Sequence, residues 1–251
     1  MRRVLAGQII ALGFILAVQE YVVNKGIVSN LYLAAPSQII AELFELLKGY
    51  VLIKNLWVTL LEFFTGFLAS VLFGVGFGII LATVPSMERF FRPFISMTMA
   101  IPKVALVPLL TIWFGIGFNS KAIMVFIFGV FSILHNTIAG VKQVSENHLK
   151  VARAFGATKL QIVTKVLLPS AMPTIFAGLR VAAATGFVGA LFSEMLSSKE
   201  GLGNLLTKAS QLYKTGQLFS IIIVVTLISV FIISAIDILE KKYFLKWKTS
   251  K

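Results

Sequence analysis

The sequence predicts an all-α polytopic membrane protein with six transmembrane helices. Hydrophobic residues make up 58% of the 251 residues and the mean hydropathy is +0.93, well above the apolar share of an ordinary soluble domain. Charged residues amount to only 13%, and they cluster between apolar runs that approach or exceed the ~20 residues a helix needs to cross a bilayer. The runs lack the alternation of barrel strands, which favours helices that satisfy their own backbone.

Six apolar runs define the predicted spans. They are Val4–Val23, Leu56–Val84, Phe94–Phe118, Ala122–Val141, Thr174–Glu194 and Leu218–Leu239. We interpret residues 1–251 as a single transmembrane domain. It comprises an N-terminal helix at 4–23, core helices within 56–239 and a polar loop at 142–173.

The first predicted span begins as a signal peptide does, with Arg2 and Arg3 ahead of an apolar core. The apolar run, however, continues to Val23 and shows no clear small-residue cleavage site before Gln19 and Glu20. An uncleaved first helix is therefore the better interpretation.

The net charge of +13 raises the possibility of nucleic-acid binding, but its distribution indicates membrane orientation instead. If the N-terminus is cytoplasmic and the spans alternate, 14 of the 23 Lys and Arg residues fall on the inner side and 7 on the outer side. The positive-inside rule predicts such an excess. We expect a multi-pass membrane protein with both termini cytoplasmic, surrounded by lipid and without a nucleic-acid partner.

The residue inventory argues against an enzyme. The chain has no cysteine and only two histidines, His135 and His148, and neither has a neighbouring carboxylate cluster suited to a metal. The glycines at 74, 76 and 78 lack the Lys-Ser/Thr of a phosphate-binding loop and lie within an apolar run. We therefore predict no catalytic residues, no metal and no cofactor. Any work done by the protein must draw energy from an ion gradient or from a partner.

Two predicted spans carry stripes of small residues spaced four apart. The stripe of the second span is Gly66, Ser70, Gly74, Gly78 and Ala82, and that of the fifth is Gly178, Ala182, Gly186 and Ala190, continued by Glu194. Such stripes let helix backbones approach closely in lipid. They indicate either packing within the subunit or a helix that moves against its neighbour during transport, and the pattern does not separate the two.

Four polar residues within predicted spans are candidates for a transport pathway, because such residues are costly in lipid. Lys103 lies between Pro102 and Pro108, which would interrupt a helix. We expect an irregular helix entry near the cytoplasmic face, where Lys103 either reaches the interface or serves a pathway.

The other three candidates are Asn136, Arg180 and Glu194. Asn136 suits an interhelical hydrogen bond better than a solute contact. Arg180 is expected to face an internal cavity or an acid such as Glu62. Glu194 lies near the outer end of its span, where its carboxylate is expected to reach water.

The loop at 142–173 separates the fourth and fifth spans and is strongly basic. It carries Lys142, Lys150, Arg153, Lys159 and Lys165 against the single acid Glu146. We predict a short helix at 146–155, a C-terminal cap at Gly156 and a second helix at 159–168, capped by Thr158 and ending before Pro169.

Leu149, Ala152 and Phe155 share one face of the first loop helix. Such a face indicates either a docking element for a partner or an amphipathic helix lying on the membrane. Periodicity alone leaves both open.

The loop resembles the EAA motif of permease subunits of binding-protein-dependent ABC importers. The family pattern is Glu-Ala-Ala, three residues, Gly, nine residues, Ile-x-Leu-Pro. Ala152, Gly156, Leu168 and Pro169 match it at the family's spacing, whereas Lys150 replaces the Glu and Val151 the first Ala. Further stretches resemble the nitrate/sulfonate/taurine-type branch, namely 33–37 (LAAPS), 101–117 (IPKVALVPLLTIWFGIG) and 177–180 (AGLR).

The resemblance implies the type I importer (MetI-like) fold, a location in the bacterial plasma (inner) membrane and a set of partners. Two permease subunits, here expected to be a homodimer, form the pore. A separate ATPase subunit binds each from the cytoplasm, and an extracytoplasmic solute-binding protein delivers cargo. The residues implied to couple this chain to its ATPase are Leu149, Lys150, Val151, Ala152, Arg153, Phe155, Gly156, Leu168 and Pro169.

The branch implies a small anion as cargo, such as nitrate, an alkanesulfonate or taurine, and the embedded Lys103 and Arg180 favour an anion mildly. The same machinery in this branch also imports vitamin precursors such as thiamine pyrimidines and riboflavin. A stand-alone secondary transporter is a further alternative, but it predicts paired ionisable residues at the membrane midplane and an internal repeat, and neither is evident.

Overall fold

The computed structural model describes residues 2–243, and within this range all regular structure is helical. The helices are α1 (Arg2–Asn24), α2 (Pro36–Lys48), α3 (Val51–Thr83), α4 (Pro85–Ala100), α5 (Val107–Phe114), α6 (Phe118–Lys142), α7 (Glu146–Ala154), α8 (Lys159–Ile162), α9 (Leu168–Ser197), α10 (Leu202–Gln211) and α11 (Thr215–Tyr243). The C-terminal lysines of the predicted cytoplasmic tail, Lys246, Lys248 and Lys251, lie outside the described residues.

The predicted all-α membrane fold is confirmed. Among residues 2–243, five helices are long and apolar enough to cross a membrane, and α4 with the segment Lys103–Phe114 makes a sixth span if this bent pair is counted as one. α2 precedes α3 as a separate amphipathic helix, and Pro36 begins it because proline is tolerated in the first turn.

The third predicted span, Phe94–Phe118, is wrong as a single helix. α4 begins at Pro85 and ends at Ala100, and the chain then bends by 89° before a 3₁₀ turn at Lys103–Leu106 leads into α5. Pro102 causes the break, because a proline disfavours helical backbone in the residue before it, and Ile101 is extended with φ −66° and ψ 130°. The middle of the bundle therefore contains an interruption instead of a continuous span.

The second loop helix does not end at Pro169, contrary to the prediction. α8 continues through a π-helical segment, Val163–Leu167, directly into α9, so that residues 159–197 form one apolar helical rod. The Leu168 N–H bonds to the Val163 carbonyl, five residues back. This wider turn lies where Pro169 offers no N–H, so the helix accommodates the proline without stopping.

α6 forms the centre of the bundle, with α3 packed along one side of it and α9 along another. A side chain at Gly66 of α3 would collide with the Ala122 carbonyl oxygen and with Val125 of α6, and a side chain at Gly178 of α9 would collide with Asn136. Both small-residue stripes thus pack within the subunit, as the first of the two interpretations predicts.

The bundle has two ends, which are distinguished by the elements that meet there. The loop end contains α7 and α8 with the end of α6 and the start of α9. There Glu88 of α4 accepts hydrogen bonds from Arg92, at 2.7 Å, and from Lys142 of α6, at 2.6 Å. The far end contains the starts of α3 and α6, the end of α9 and the whole of α10.

Because α3 lies so close to α6, we expect alanine substitution to change stability very differently at two glycines of α3. Gly66→Ala introduces a Cβ into backbone of α6, whereas Gly76→Ala meets no atom within 4 Å. We expect Gly66→Ala to lower the free energy of unfolding by about 1–3 kcal/mol and Gly76→Ala to leave it unchanged or raise it slightly, since alanine favours helix. Thermal unfolding of the purified variants in one detergent measures both; equal melting temperatures would contradict the α3–α6 packing.

Candidate functional site

The loop between α6 and α9 is built by specific caps. The Ser145 hydroxyl accepts a hydrogen bond from the Asn147 N–H at 3.3 Å and begins α7. At the other end, Gly156 has φ +72°, and the Ala157 N–H bonds to the Ala152 carbonyl. This is a Schellman-type stop, which needs a left-handed residue and explains the glycine.

A second cap starts α8 two residues later. The Gln161 N–H donates to the Thr158 hydroxyl at 3.3 Å, and the Thr158 N–H donates to the Gln161 side-chain oxygen at 2.8 Å. This reciprocal capping box fixes the orientation of the first turn of the continuous helix formed by residues 159–197. The sequence prediction of a Gly156 stop followed by a Thr158 cap is confirmed.

The exposed apolar surface of the loop differs from the predicted face. Val151 of α7 is 54% exposed, and Phe155, the residue that follows the end of α7, is 88% exposed. Leu160 of α8 is 73% exposed. Leu149 instead packs against the cluster around Val141 and Leu167, because α7 turns that face towards the bundle. We call Val151, Phe155 and Leu160 the loop patch.

The remaining predicted coupling residues divide between surface and interior. Lys150, Arg153 and Pro169 are exposed, whereas Ala152 and Leu168 are partly buried. The Lys150 ammonium lies 3.8 Å from Glu146 on the same helix, and both side chains are largely solvent-exposed, so this pair contributes little stability. The loop patch is thus apolar surface within a cationic surround.

Lys103 lies at mid-depth, not near the loop end, so the expected interfacial position is wrong. Its ammonium stands 5.7 Å from the centre of the Phe128 ring. Phe128 is ten residues from the start of α6 and fourteen from its end, which corresponds to about 15 and 21 Å along the helix. The break after α4 places Lys103 at this depth, in a cavity of about 240 Å³ that Thr185 also lines.

Arg180 does not pair with Glu62. Its guanidinium bonds to Asp237 at 3.0 Å and also to Glu240, both on α11. The arginine therefore joins α9 to α11 with its charge matched by two carboxylates. Asn136 donates to the Ser132 carbonyl of its own helix at 2.8 Å and packs against Gly178, so the expected interhelical hydrogen bond is absent from its described contacts.

Glu194 is fully buried and does not reach water as expected. Its carboxylate accepts from the Thr59 hydroxyl at 2.7 Å and from the Gly203 N–H at 2.6 Å. Thr59 also accepts from the Leu202 N–H at 2.9 Å, and Asn55 accepts from the Gly201 N–H at 2.6 Å. Three backbone donors at the start of α10 are thus satisfied by α3 and α9.

Two further charges complete this far-end cluster. Lys121 of α6 is fully buried and donates to the Ser197 carbonyl at 2.5 Å, although the sequence placed it outside the spans. The Glu62 carboxyl of α3 is also buried, and its Oε2 atom has no hydrogen-bond partner among the described residues. Periodicity gave no sign of this cluster, since its members come from three helices and a turn.

Within residues 2–243, no three His, Asp or Glu side chains lie close enough together to bind a metal ion.

Comparisons with known proteins agree with this architecture. The model of the family described as "Binding-protein-dependent transport system inner membrane component" matches residues 74–244. The chain is 29% identical to the taurine transport system permease protein of Escherichia coli over 87% of this chain and 81% of that protein. It is 27% identical to the formylaminopyrimidine transport permease protein of Halalkalibacterium halodurans, over 86% of each.

A solved structure has the same fold. It is an inward-facing form of the MetNI methionine ABC transporter, which matches with a TM-score of 0.68 and 20% identity over 77% of this chain and 96% of that one. The likeness shows the MetI-type permease fold. The family model covers well over half of the chain, including α6, the loop and α9. The chain therefore belongs to the binding-protein-dependent transport system inner membrane components, which are the non-enzymatic, multi-pass permeases of ABC importers.

Proposed function

We propose that this chain is the pore-forming subunit of an importer in which a separate ATPase drives the uptake of a small solute, with a taurine- or sulfonate-like anion as cargo. An extracytoplasmic binding protein delivers the solute. The residues of the loop patch bind the ATPase, and the loop end faces the cytoplasm.

The observation that carries the proposal is an exposed apolar patch attached to a rigid helix. Phe155 is almost fully exposed in a cationic loop, and buried aromatic side chains are the commonest anchors of protein interfaces. The loop continues without interruption from α8 into α9. A displacement of α7 and α8 by a bound ATPase would therefore be transmitted along α9 to the centre of the bundle.

Charge supports the proposed orientation. The loop end carries Lys142, Lys150, Arg153, Lys159 and Lys165, and positive residues are retained on the cytoplasmic side. With the loop end inside, α1 and α11 place both termini in the cytoplasm. The alternative that α7 lies on the membrane surface would cover the same patch with lipid, and it is separated from ATPase docking by the first experiment below.

A second copy of the chain is the proposed partner in the pore. One copy exposes polar groups at mid-depth beside the break between α4 and α5, and non-helical backbone at that depth must be buried in protein or line a cavity. A homodimer satisfies this requirement with no additional kind of subunit.

Anionic cargo is favoured by the charge of the interior and by the similarity to the taurine permease. Lys103 has no carboxylate partner among residues 2–243, so a net positive charge remains at mid-depth. The formylaminopyrimidine permease is similar over as much of the chain, and a vitamin precursor is therefore the second candidate. A stand-alone secondary transporter is disfavoured by membership of the ABC permease family.

The proposed docking surface predicts that Phe155→Ala weakens ATPase binding. Removing a buried aromatic anchor costs about 1.5–3 kcal/mol, which corresponds to roughly a 10- to 150-fold loss of affinity. Gly156→Pro should abolish binding, because proline cannot adopt φ +72°. Co-purification of the ATPase with tagged permease, quantified against permease inserted in the membrane, measures both.

Tyr32→Ala is the matched control, since Tyr32 is an equally exposed aromatic residue outside the loop, and it should leave ATPase binding unchanged. Full binding by Phe155→Ala and by Gly156→Pro would rule out the loop patch as the docking surface and favour contact with lipid.

The energy source gives a second prediction. Uptake of taurine by cells expressing the chain with its ATPase and binding protein should stop when the ATPase active site is inactivated and should persist when the proton gradient is collapsed while ATP is maintained. The opposite pattern would identify a gradient-driven transporter. ATP-dependent uptake of formylaminopyrimidine in place of taurine would select the second candidate cargo.

A further inference from the structure

The cavity beside Lys103 lies where a charge is costly unless it has a partner. It is formed at the break between α4 and α5 and is lined by Met99, Ile101, Pro102, Lys103 and Val104, together with Phe128 and Thr185. It lies beside the middle of the membrane-spanning helix α6, because the Lys103 ammonium stands over Phe128, about 15 Å along that helix from its start.

The ammonium of Lys103 has no anionic partner among the described residues. Its one charge-related contact there is with the face of Phe128, and neither the ion pairs nor the side-chain hydrogen bonds of residues 2–243 include it. Other interior charges are treated differently. Arg180 has two carboxylates, and Lys121 lies in a cluster with Glu62 and Glu194.

Contact of this cavity with lipid is energetically excluded. A charged lysine at the centre of the bilayer costs several kcal/mol or more in hydrocarbon. Lysines nearer the interface avoid this cost by extending the ammonium into the headgroup region, but from this depth the side chain is too short to do so. The extended backbone of Ile101 adds polar groups that hydrocarbon cannot satisfy. This face of α4, α5, α6 and α9 must therefore border water or another protein surface.

We infer that Lys103, Thr185 and the face of Phe128 form an anion-binding site in the aqueous pathway, which we call the station. A small organic anion such as an alkanesulfonate binds there transiently while it crosses the membrane. The inference deepens the proposed function, because it assigns the solute class and the residue that selects it. Lys103 supplies the charge. The Thr185 hydroxyl donates to the Val181 carbonyl at 2.8 Å, and rotation of the side chain would redirect that one hydrogen to a bound anion. The apolar wall of Met99, Val104 and Phe128 accommodates a short hydrocarbon chain.

The same arrangement lets the bound anion leave the site. A single lysine next to an aromatic ring attracts an anion without surrounding it with several charges. A pathway site must bind weakly enough to let the solute leave. Because Thr185 lies on α9, the helix continuous with the loop, movement of that rod would alter the distance between Thr185 and Lys103 and so change the site during each cycle.

Thiol labelling tests the station without knowledge of the solute. The chain contains no cysteine, so Thr185→Cys is its sole thiol. The complex is purified through a tag on this chain and reconstituted in phosphatidylcholine vesicles, which offer no anionic lipid. Two methanethiosulfonate reagents are compared, one bearing an ethylsulfonate and one a trimethylammonium group, and the mass of this chain gives the labelling rates.

We expect both reagents to reach Thr185→Cys, and neither to label Leu72→Cys, a control at a side chain of α3 that is 74% exposed on the surface of the bundle. Adding Lys103→Met should lower the ratio of sulfonate to trimethylammonium rates by about tenfold, since a charged cleft raises the local concentration of counter-ions by at least that factor. Lys103→Arg should keep the ratio within about threefold of the original, as it retains the charge. Comparing ratios cancels the intrinsic reactivities of the two reagents.

Two labelling results would overturn the inference. Thr185→Cys that is as unreactive as Leu72→Cys would mean that the cavity does not border water, and an unchanged ratio in Lys103→Met would mean that Lys103 does not select anions. Neither depends on ATP or on the identity of the cargo. Loss of the ATPase from the purified complex would count against the proposed function alone, whereas normal taurine uptake by Lys103→Met would count against the station alone.

Discussion

Lipid offers no hydrogen bonds, so every polar group of the chain within the bilayer must find a partner inside the protein or in a water-filled path. Most of the structure follows from this constraint. The helices satisfy their own backbones, and Arg180 is matched by Asp237 and Glu240. The start of α10 obtains acceptors from Asn55, Thr59 and Glu194. Among the interior cations of residues 2–243, Lys103 differs from Arg180 in having no carboxylate within ion-pair distance, which is why we propose that a transported anion completes it.

The far-end cluster is more than charge compensation. Glu194 of α9 and Thr59 of α3 both bind backbone of the turn that begins α10, so three elements are fastened at one point. Gly201 and Gly203 are required there, because a side chain at either position would occupy the space of the Glu194 carboxyl. Movement of α9 relative to α3 must therefore either carry α10 with it or break buried hydrogen bonds. Because α9 begins at the loop end, a displacement there would in either case alter the structure of the far end.

The permease fold explains why the loop is rigid while its surface is available. Capping at Ser145, the Schellman stop at Gly156 and the capping box at Thr158 satisfy the ends of two very short helices, which would not be stable alone. Leu149 anchors α7 to the bundle, which leaves Val151 and Phe155 outside. A loop that is already ordered would lose little conformational freedom on binding the proposed ATPase.

The sequence alone determined the membrane class, five of the spans, both loop caps and the small-residue packing stripes, because each of these depends on hydropathy, local backbone preference or spacing along one helix. Tertiary structure decided what depends on distant residues. Pro102 predicts a break in the helix, but only the bend of 89° and the contact with Phe128 show that Lys103 lies beside the middle of α6. Pro169 predicts a stop, yet the π segment carries the helix past it. The partners of Arg180 and Glu194, and the inward turn of Leu149, follow from which helix faces which, and no pattern within a single helix records that.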